Sequence, residues 1–343
     1  MLSLTKPKAQ PFARNHLLRD ASWKAVHDAM RADPMIHVFG EGAQIKAHYD
    51  APELLAAFPS HFHTMPIAED GSVNFAVGTA LMGYKPIIDV ISCDFLFRAM
   101  DGIVNTAAKL EGRTIVIRAE TLLGGPTTGQ RPEAMFCHVP GLRVVCPSTP
   151  RDAYGLMAAA LKTPVVTIFI EDREISDSGP WLTGDLVTGE VQSVLASSPN
   201  KRFLPMSSAA KLVPVVTVLA YGVMRPVVER AVAPWLLYWD GDYYAEPNYS
   251  IDLLDMPVLC PFDFDYLEHG RYGLKRTGKL LIVEPDVVYG GVGAEIAAWV
   301  AENMPEVKVK RLGAPKRAIP ASPALHGGML PSEEEILDAI ASF

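Results

Sequence analysis

An acidic residue, Glu69, lies in the stretch MPIAEDGSVNFAVGTALMGYKP at residues 65–86, between a short apolar approach and a run of small residues. The run from about Ser72 to Gly83 predicts a helix that is buried on every side. Burial penalises the charged form of a carboxyl group, so a desolvated Glu69 would be protonated near neutral pH and could donate a hydrogen bond. The alternative is a first-turn acid that accepts hydrogen bonds from backbone N–H groups, a role that Asp70 could share. Periodicity alone favours this second role.

A glycine-rich loop is the second candidate for chemistry. Gly124 and Gly129 have the G-x-x-x-x-G spacing of a phosphate-binding loop and follow a predicted strand. In such a loop the next residues are Lys and then Ser or Thr, which hold phosphate and Mg²⁺. Here they are Gln130 and Arg131. A nucleotide site is therefore not expected in this loop.

The residue types that bind metals or act as nucleophiles show no spacing typical of a site. His61 and His63 have no third ligand nearby in the sequence. The four cysteines form no C-x-x-C pair and lie in apolar contexts, where free cysteine usually packs as a small hydrophobic residue. They are Cys93, Cys137, Cys146 and Cys260. The sequence therefore predicts neither a metal site nor a redox role.

The elements that must position these residues alternate between helix and strand. A predicted helix at residues 16–33 precedes a buried strand at 35–41. Further strands are predicted at 86–92, 114–120, 142–147 and 164–171, and further helices at 72–83, 95–110 and 151–162. This alternation predicts an α/β fold with a mainly parallel sheet that is covered by helices on both faces.

The chain is long enough for two domains, at roughly 100–200 residues per domain. The first domain is predicted at residues 16–195. The helix and strand periodicity fades after Glu171 into a polar stretch that contains proline. Residues 196–211 are typical of a linker. The second domain is predicted at 212–343, and it closes with a strand, a glycine loop and a helix at 279–304.

The composition excludes some classes of partner. The net charge is −8 and 49% of the residues are hydrophobic, with no cluster of Lys and Arg among aromatic residues. Nucleic acid is therefore not an expected partner. No run of 18 uncharged apolar residues and no signal-peptide core is present, so we expect a soluble, cytoplasmic protein without a membrane partner.

Six segments, in this order, resemble the beta subunit of the thiamine-diphosphate-dependent 2-oxo acid dehydrogenases, of the pyruvate, branched-chain and acetoin type. They are VFGEG, MPIAEDGSVNFAVGTALMGYKPIIDVISCDFLFRAMDGIVNTAAKL, PEAMFCHVPGLRVVCPSTPRDAYGLM, PVVTIFIE, VLAYGVM and TGKLLIVEPDVVYGGVGAEIAAWVAE. The resemblance runs from about residue 16 to the C-terminus. It implies a thiamine-diphosphate-binding fold, in which a pyrimidine-binding domain with a parallel sheet precedes a transketolase-type C-terminal α/β domain.

The resemblance also implies roles for three residues. Glu69 matches the catalytic acid that hydrogen-bonds a ring nitrogen of the cofactor's aminopyrimidine. Phe95 matches the aromatic residue that stacks on this ring, and Ile91 matches an apolar residue of the same pocket. Without the resemblance, Phe95 and Ile91 would be ordinary core side chains.

Two features depart from the family pattern. In this family the alpha subunit holds the diphosphate and Mg²⁺ with a G-D-G motif that ends in Asn, and this chain lacks that motif. The resemblance therefore implies half a site, completed by an alpha subunit in an α2β2 heterotetramer. The family loop reads His-Ser-Gln-Ser before EAMF, but here it reads TGQR, which places Thr128 at the histidine position of a possible acyl-transfer loop that includes Gln130. The nearby His138 is not an obvious substitute.

The implied function is a beta subunit that, with its alpha subunit, decarboxylates a small 2-oxo acid and passes the acyl group to a lipoyl acyltransferase. One alternative is a carboligase or acyl-transfer subunit that does not use lipoamide. Another is a non-catalytic scaffold paralogue. Retention of Glu69 and Phe95 argues against the scaffold, while loss of the loop histidine favours it.

Overall fold

The computed structural model describes residues 18–43, 51–122, 124–175, 213–232, 249–269 and 274–343. The strands in these ranges are β1 Ile36–Glu41, β2 Phe62–Met65, β3 Lys85–Ser92, β4 Ile115–Thr121, β5 Leu142–Val145, β6 Val166–Asp172, β7 Val213–Ala220, β8 Tyr249–Asp255, β9 Val258–Cys260, β10 Lys279–Val287 and β11 Lys308–Ala314. The α-helices are Leu18–Ala32, Pro52–Ala57, Glu69–Leu81, Glu133–Cys137, Pro150–Lys162, Met224–Val232, Phe264–His269, Leu274–Thr277, Val292–Asn303, Pro323–Gly327 and Glu333–Ala341. Among these described helices, none is long and apolar enough to cross a membrane.

The first sheet has seven strands in the order β2-β1-β3-β4-β6-β5-β9. Its strand pairs are parallel, except that β9 runs antiparallel to β5. Every residue of the central strands β4 and β6 is buried. This burial explains their nearly continuous apolar sequences, because helices cover both faces of a parallel sheet. The α/β class predicted from the alternation of elements is confirmed.

The second sheet has four parallel strands in the order β11-β10-β7-β8. Strand β9 follows β8 in the chain but pairs with the first sheet, through Val144 with Cys260 and Val145 with Val258. The two halves of the chain are therefore in direct contact. The predicted linker, 196–211, lies outside the described residues, and the division into domains at this point stays a prediction.

The prediction of one continuous helix at 95–110 is wrong in detail. It contains a 3-10 helix at Cys93–Phe97, a π-helix at Gly102–Thr106 and another 3-10 helix at Ala107–Lys109. The backbone N–H of Gly102 donates to the side chain of Asp70 at 2.8 Å instead of to a preceding turn. This tertiary contact interrupts the helical hydrogen bonds, which a local pattern cannot anticipate.

Helix Glu69–Leu81 starts three residues before the predicted position and is not buried on every side. One face packs into the core with Val73, Ala76 and Ala80. On the opposite face, Phe75 is 48% exposed and Leu81 is 56% exposed. Periodicity could not distinguish these faces, because both consist of small or apolar residues.

Candidate functional site

A cavity lies at the carboxyl ends of β1 and β3, the edge of a parallel sheet where ligands commonly bind. The end of β1 contributes Gly40 and Glu41, and Glu69 stands at the first position of the next helix. The lining residues are Gly40, Glu41, Pro66, Ala68, Glu69, Ser72, Ile88, Asp89, Val90, Ile91 and Phe95. The cavity thus combines carboxylates with apolar walls.

Three of the sequence-predicted site residues line this one cavity. Glu69 is the acid at the helix start, Ile91 is near the end of β3, and Phe95 lies in the 3-10 helix that follows β3. Ile91 and Phe95 are both half-buried, so each combines packing against the protein with a surface toward the cavity. Residues 69, 91 and 95 therefore lie together at one cavity.

The Glu69 carboxylate is close to an arginine. Its Oε2 is 3.7 Å from Nε of Arg98, and the Glu69 side chain is 15% exposed. The residue before the helix, Ala68, provides no side-chain cap. Asp70 accepts hydrogen bonds from the Gly102 N–H and from the Asn74 side chain, at 2.8 and 3.2 Å. The two acids thus have different surroundings, since Asp70 connects the helix to its neighbour while Glu69 lines the cavity.

The lining fits the aminopyrimidine part of thiamine diphosphate better than its diphosphate part. A flat heterocycle needs apolar walls, which Ile91 and Phe95 offer, and a hydrogen-bonding acid at its edge, which Glu69 offers. The lining contains the carboxyl groups of Glu41 and Asp89 as well, and no Lys or Arg. Carboxylates repel a diphosphate, so this cavity suits the ring only.

A buried ion network under the cavity was missed by sequence reasoning. The Arg118 side chain is 1% exposed and contacts Asp89 at 3.2 Å, Glu120 at 3.1 Å and Glu171. Its guanidinium also lies over the Trp23 ring, 4.8 Å from the centroid. Charged residues inside the apolar strand TIVIRAE were the available signal, because a charge on a buried strand requires a partner. The network fixes Asp89 in the cavity wall.

The glycine-rich loop does not join the cavity lining. The Thr128 hydroxyl donates to the Gly124 carbonyl within the loop. The Gln130 side chain is exposed, while the backbone N–H groups of Gly129 and Gln130 donate to the Asp94 carboxylate at 3.0 Å each. Asp94 directly precedes Phe95, so the loop and the cavity are connected through one residue.

The C-terminal half of the chain supplies a histidine to this loop. The Gly124 N–H donates to Nδ1 of His326 at 3.2 Å, and a Cβ atom on Gly129 would lie 2.6 Å from Cε1 of His326. Burial lowers the pKa of His326, and the nearby Arg131 lowers it further. His138, in contrast, is exposed. No local signal identified His326, which is about 200 residues from the loop in sequence.

Arg131 lies at the end of the loop and forms ion pairs with two carboxylates, those of Glu133 and Asp172. Its side chain is 9% exposed and lies 2.8 Å from Glu133 and 2.5 Å from Asp172. Asp172 also accepts the N–H of Val223 at 2.5 Å. Burial acts to raise the pKa of Asp172, but Arg131 outweighs it and holds this pKa below its usual range. Arg131 therefore positions Asp172, which contacts the C-terminal half through the Val223 N–H.

The predicted surface histidines have a third neighbour that the sequence did not indicate. Nδ1 of His37 is 2.9 Å from Nε2 of His63, and the His37 ring stacks on that of His61 with 4.5 Å between centroids. Stacked rings do not converge their nitrogen atoms on one point. Over the described ranges, no group of three or more metal-binding side chains has an arrangement that could hold an ion.

Comparisons with known proteins agree with this architecture. The model of the transketolase pyrimidine-binding domain matches residues 16–177, and that of the transketolase C-terminal domain matches 211–336. A solved structure described as a split-gene transketolase, an inactive beta4 tetramer, superposes with a TM-score of 0.73 and 20% identity, over 95% of this chain and 98% of that one. This likeness concerns the fold.

Proteins of similar sequence identify the family to which the chain belongs. A mitochondrial 2-oxoisovalerate dehydrogenase subunit beta 2 from Arabidopsis thaliana is 31% identical over 93% of this chain and 86% of that protein. A pyruvate dehydrogenase E1 component subunit beta from Rickettsia bellii is 26% identical over 94% of this chain and 97% of that protein. Together with both domain matches and the cavity at the ends of β1 and β3, these similarities show that the chain belongs to the beta-subunit family of the 2-oxo acid dehydrogenases, which indicates a thiamine diphosphate cofactor.

Proposed function

We propose that this chain contributes the aminopyrimidine half of a thiamine diphosphate site to a 2-oxo acid decarboxylating dehydrogenase. The observation that carries the proposal is the convergence of Glu69, Ile91 and Phe95 on one cavity. When bound, thiamine diphosphate supplies a carbon nucleophile and an electron sink for decarboxylation. Glu69 would hold a proton at a ring nitrogen, Phe95 would stack on the ring, and Ile91 would exclude water from it.

A separate alpha subunit would hold the diphosphate and Mg²⁺ in an α2β2 heterotetramer. The acidic lining around Glu69 supports this division, since carboxyl groups line the cavity and the nearby Arg98 is paired with Glu69. The stretch WDGDYY at 239–244 contains Gly241 and Asp242 but lacks the second glycine of a G-D-G motif, and it lies outside the described residues. The exposed apolar face of helix Glu69–Leu81, with Phe75 and neighbouring Gly71 and Gly78, is also typical of a surface that another subunit covers.

The family resemblance implies that four small residues of this helix allow close approach of a neighbouring subunit. They are Gly71, Ala76, Gly78 and Ala80. Ala76 and Ala80 are fully buried in the core of this chain, so only the two glycines remain available for such an approach.

The substrate of the proposed complex is a small 2-oxo acid, and a lipoyl acyltransferase is the proposed acceptor of its acyl group. The loop favours a second candidate, in which the acyl group goes to an acceptor other than lipoamide, because Thr128 replaces the histidine of the family pattern. A scaffold without catalysis is less consistent with the cavity, which keeps the Glu69 and Phe95 side chains together. A cytoplasmic location stays a prediction from the sequence.

The decisive experiment compares two acids of the same cavity in a complex reconstituted with the alpha subunit. Glu69→Gln should slow proton exchange at the thiazolium carbon of bound cofactor by about 10²–10⁴-fold, the usual contribution of a positioned acid or base. Glu41→Gln is the matched control and should exchange near the wild-type rate. Equal effects of both changes, or none for Glu69→Gln, would contradict the proposed role.

The division of the site has its own test. Isothermal titration of this chain alone with thiamine diphosphate and Mg²⁺ should show weak binding, and the reconstituted complex should bind tightly. Tight stoichiometric binding by the chain alone would refute the half-site.

A further inference from the structure

Two of the four cysteines lie together where the halves of the chain meet. Cys137 is the last residue of helix Glu133–Cys137, and Cys260 is the last residue of β9, the strand that the C-terminal half adds to the first sheet. Cys260 pairs with Val144 of β5, and this pairing holds Cys260 in the first sheet, close to Cys137. Residues 123 positions apart in sequence are thus adjacent in the fold.

The Cys260 thiol lies against the backbone of Cys137. The Cys260 thiol is 3.7 Å from the carbonyl oxygen of Cys137 and 3.8 Å from that of Leu142. The Cys137 side chain hydrogen-bonds to that of Cys260, which lowers the pKa of Cys260 and raises that of Cys137. A thiol that donates to its neighbour favours the neighbour's thiolate, the reactive form of cysteine.

The other two cysteines differ in accessibility. Cys93 and Cys146 are fully buried, and burial raises the pKa of each thiol well above its usual value. Cys137 and Cys260 are only half-buried. The sequence predicted that all four cysteines pack as small hydrophobic residues. This describes Cys93 and Cys146, but it misses the contact between Cys137 and Cys260.

We propose that Cys137 and Cys260 form a reversible thiol–disulfide site that reacts with a small-molecule disulfide. The Cys260 thiolate attacks one sulfur of the small disulfide, whose S–S bond breaks, and one thiolate leaves and takes up a proton. Cys137, as its thiolate, then attacks the Cys260 sulfur of the mixed disulfide and releases the second small thiol. The protein loses two hydrogen atoms, and the small disulfide is reduced to two thiols.

The cross-link would connect β9 to the helix that follows the glycine-rich loop. It closes a loop of more than 100 residues, and such cross-links restrict the unfolded chain most strongly. We therefore expect the oxidised chain to unfold several degrees above the reduced one. The inference does not depend on the proposed enzymatic function, because it concerns this chain's thiols alone.

The test uses the purified full chain and oxidised glutathione as the probe. After incubation and denaturation, the number of alkylatable thiols should fall from four, the number in the sequence, by two. Peptide mapping should find Cys137 linked to Cys260, and dithiothreitol should restore all thiols. In Cys137→Ser, the reaction should stop at a mixed disulfide on Cys260.

The control is Cys93→Ala, which alters a buried thiol and should still lose two alkylatable thiols and form the same link. A wild-type chain that keeps all of its thiols, or one whose link involves Cys93 or Cys146, would overturn the proposal. The wild-type thiol count decides the question even if a serine variant fails to fold.

Discussion

Nε of Arg98 lies 3.7 Å from Oε2 of Glu69, so an arginine that is 74% exposed reaches the acid that lines the cavity. The Arg98 guanidinium is therefore close enough to the Glu69 carboxylate to form an ion pair with it. The proposed role of Glu69 requires it to share a proton with a ring nitrogen instead. The ring and Arg98 would therefore compete for the same oxygen atoms.

This competition predicts that Arg98→Gln strengthens cofactor binding in the reconstituted complex. Exposed ion pairs contribute ~0.2–1 kcal/mol, so the dissociation constant should fall by no more than about fivefold. Isothermal titration with thiamine diphosphate measures the change. Arg113→Gln, at another exposed arginine, is the control and should bind as the wild type does. Weaker binding by Arg98→Gln would indicate that Arg98 holds the ligand.

Glu133 should make the stability of the chain depend on pH. Burial raises its pKa to about 7 despite Arg131, and the carboxylates of Asp286 and Asp172 add to the rise. A carboxyl group with a raised pKa contributes stability that is complete below its unfolded value of about 4.5 and is lost as pH rises through about 7. Asp172 has a lowered pKa, so its contribution to stability changes with pH only in a more acidic range.

Glu133→Gln should therefore reduce the loss of stability between pH 5 and 7.5. Urea unfolding midpoints at both pH values, for the variant and the wild type, measure this difference. Glu111→Gln is the control because Glu111 is exposed. Part of the pH dependence should persist in Glu133→Gln, since burial also raises the pKa of Glu284 to about 7. An unchanged slope would exclude Glu133 as a contributor.

His326 should act as a positioning residue for the glycine-rich loop. Its Nδ1 accepts the Gly124 N–H, and this contact connects the loop to the C-terminal half. His326→Ala should leave that N–H without its partner and increase hydrogen exchange of the loop amides at 124–130. The control is His61→Ala, away from the loop. Unchanged protection would mean that packing alone, including the contact of Gly124 with Pro323, holds the loop.

Thr128 should limit acyl transfer and leave decarboxylation intact. A hydroxyl group can hydrogen-bond but does not titrate near neutral pH, whereas histidine does. The reconstituted complex should reduce an artificial electron acceptor at a higher rate than it acylates a lipoyl domain. Thr128→His should raise only the second rate. Comparable wild-type rates would indicate that His326 or an alpha-subunit residue supplies the proton.

The sequence by itself determined most of the strands and helices and predicted three residues that line the cavity. Strand and helix signals are local, so apolar runs such as TIVIRAE and PVVTIFIE identified β4 and β6 without knowledge of their neighbours. The ordered family resemblance then placed Glu69, Ile91 and Phe95, and the structure brings these three together. Because β-strand ends of a parallel sheet share one edge, residues near such ends could be expected to meet.

The tertiary structure alone decided the partners of these residues. Arg98 meets Glu69, His326 meets the loop across about 200 residues, and Cys260 meets Cys137 through an antiparallel edge strand. It also decided which face of helix Glu69–Leu81 is buried. These outcomes depend on how separate segments pack, and packing energies arise between residues distant in sequence, whereas periodicity reports only on residues a few positions apart.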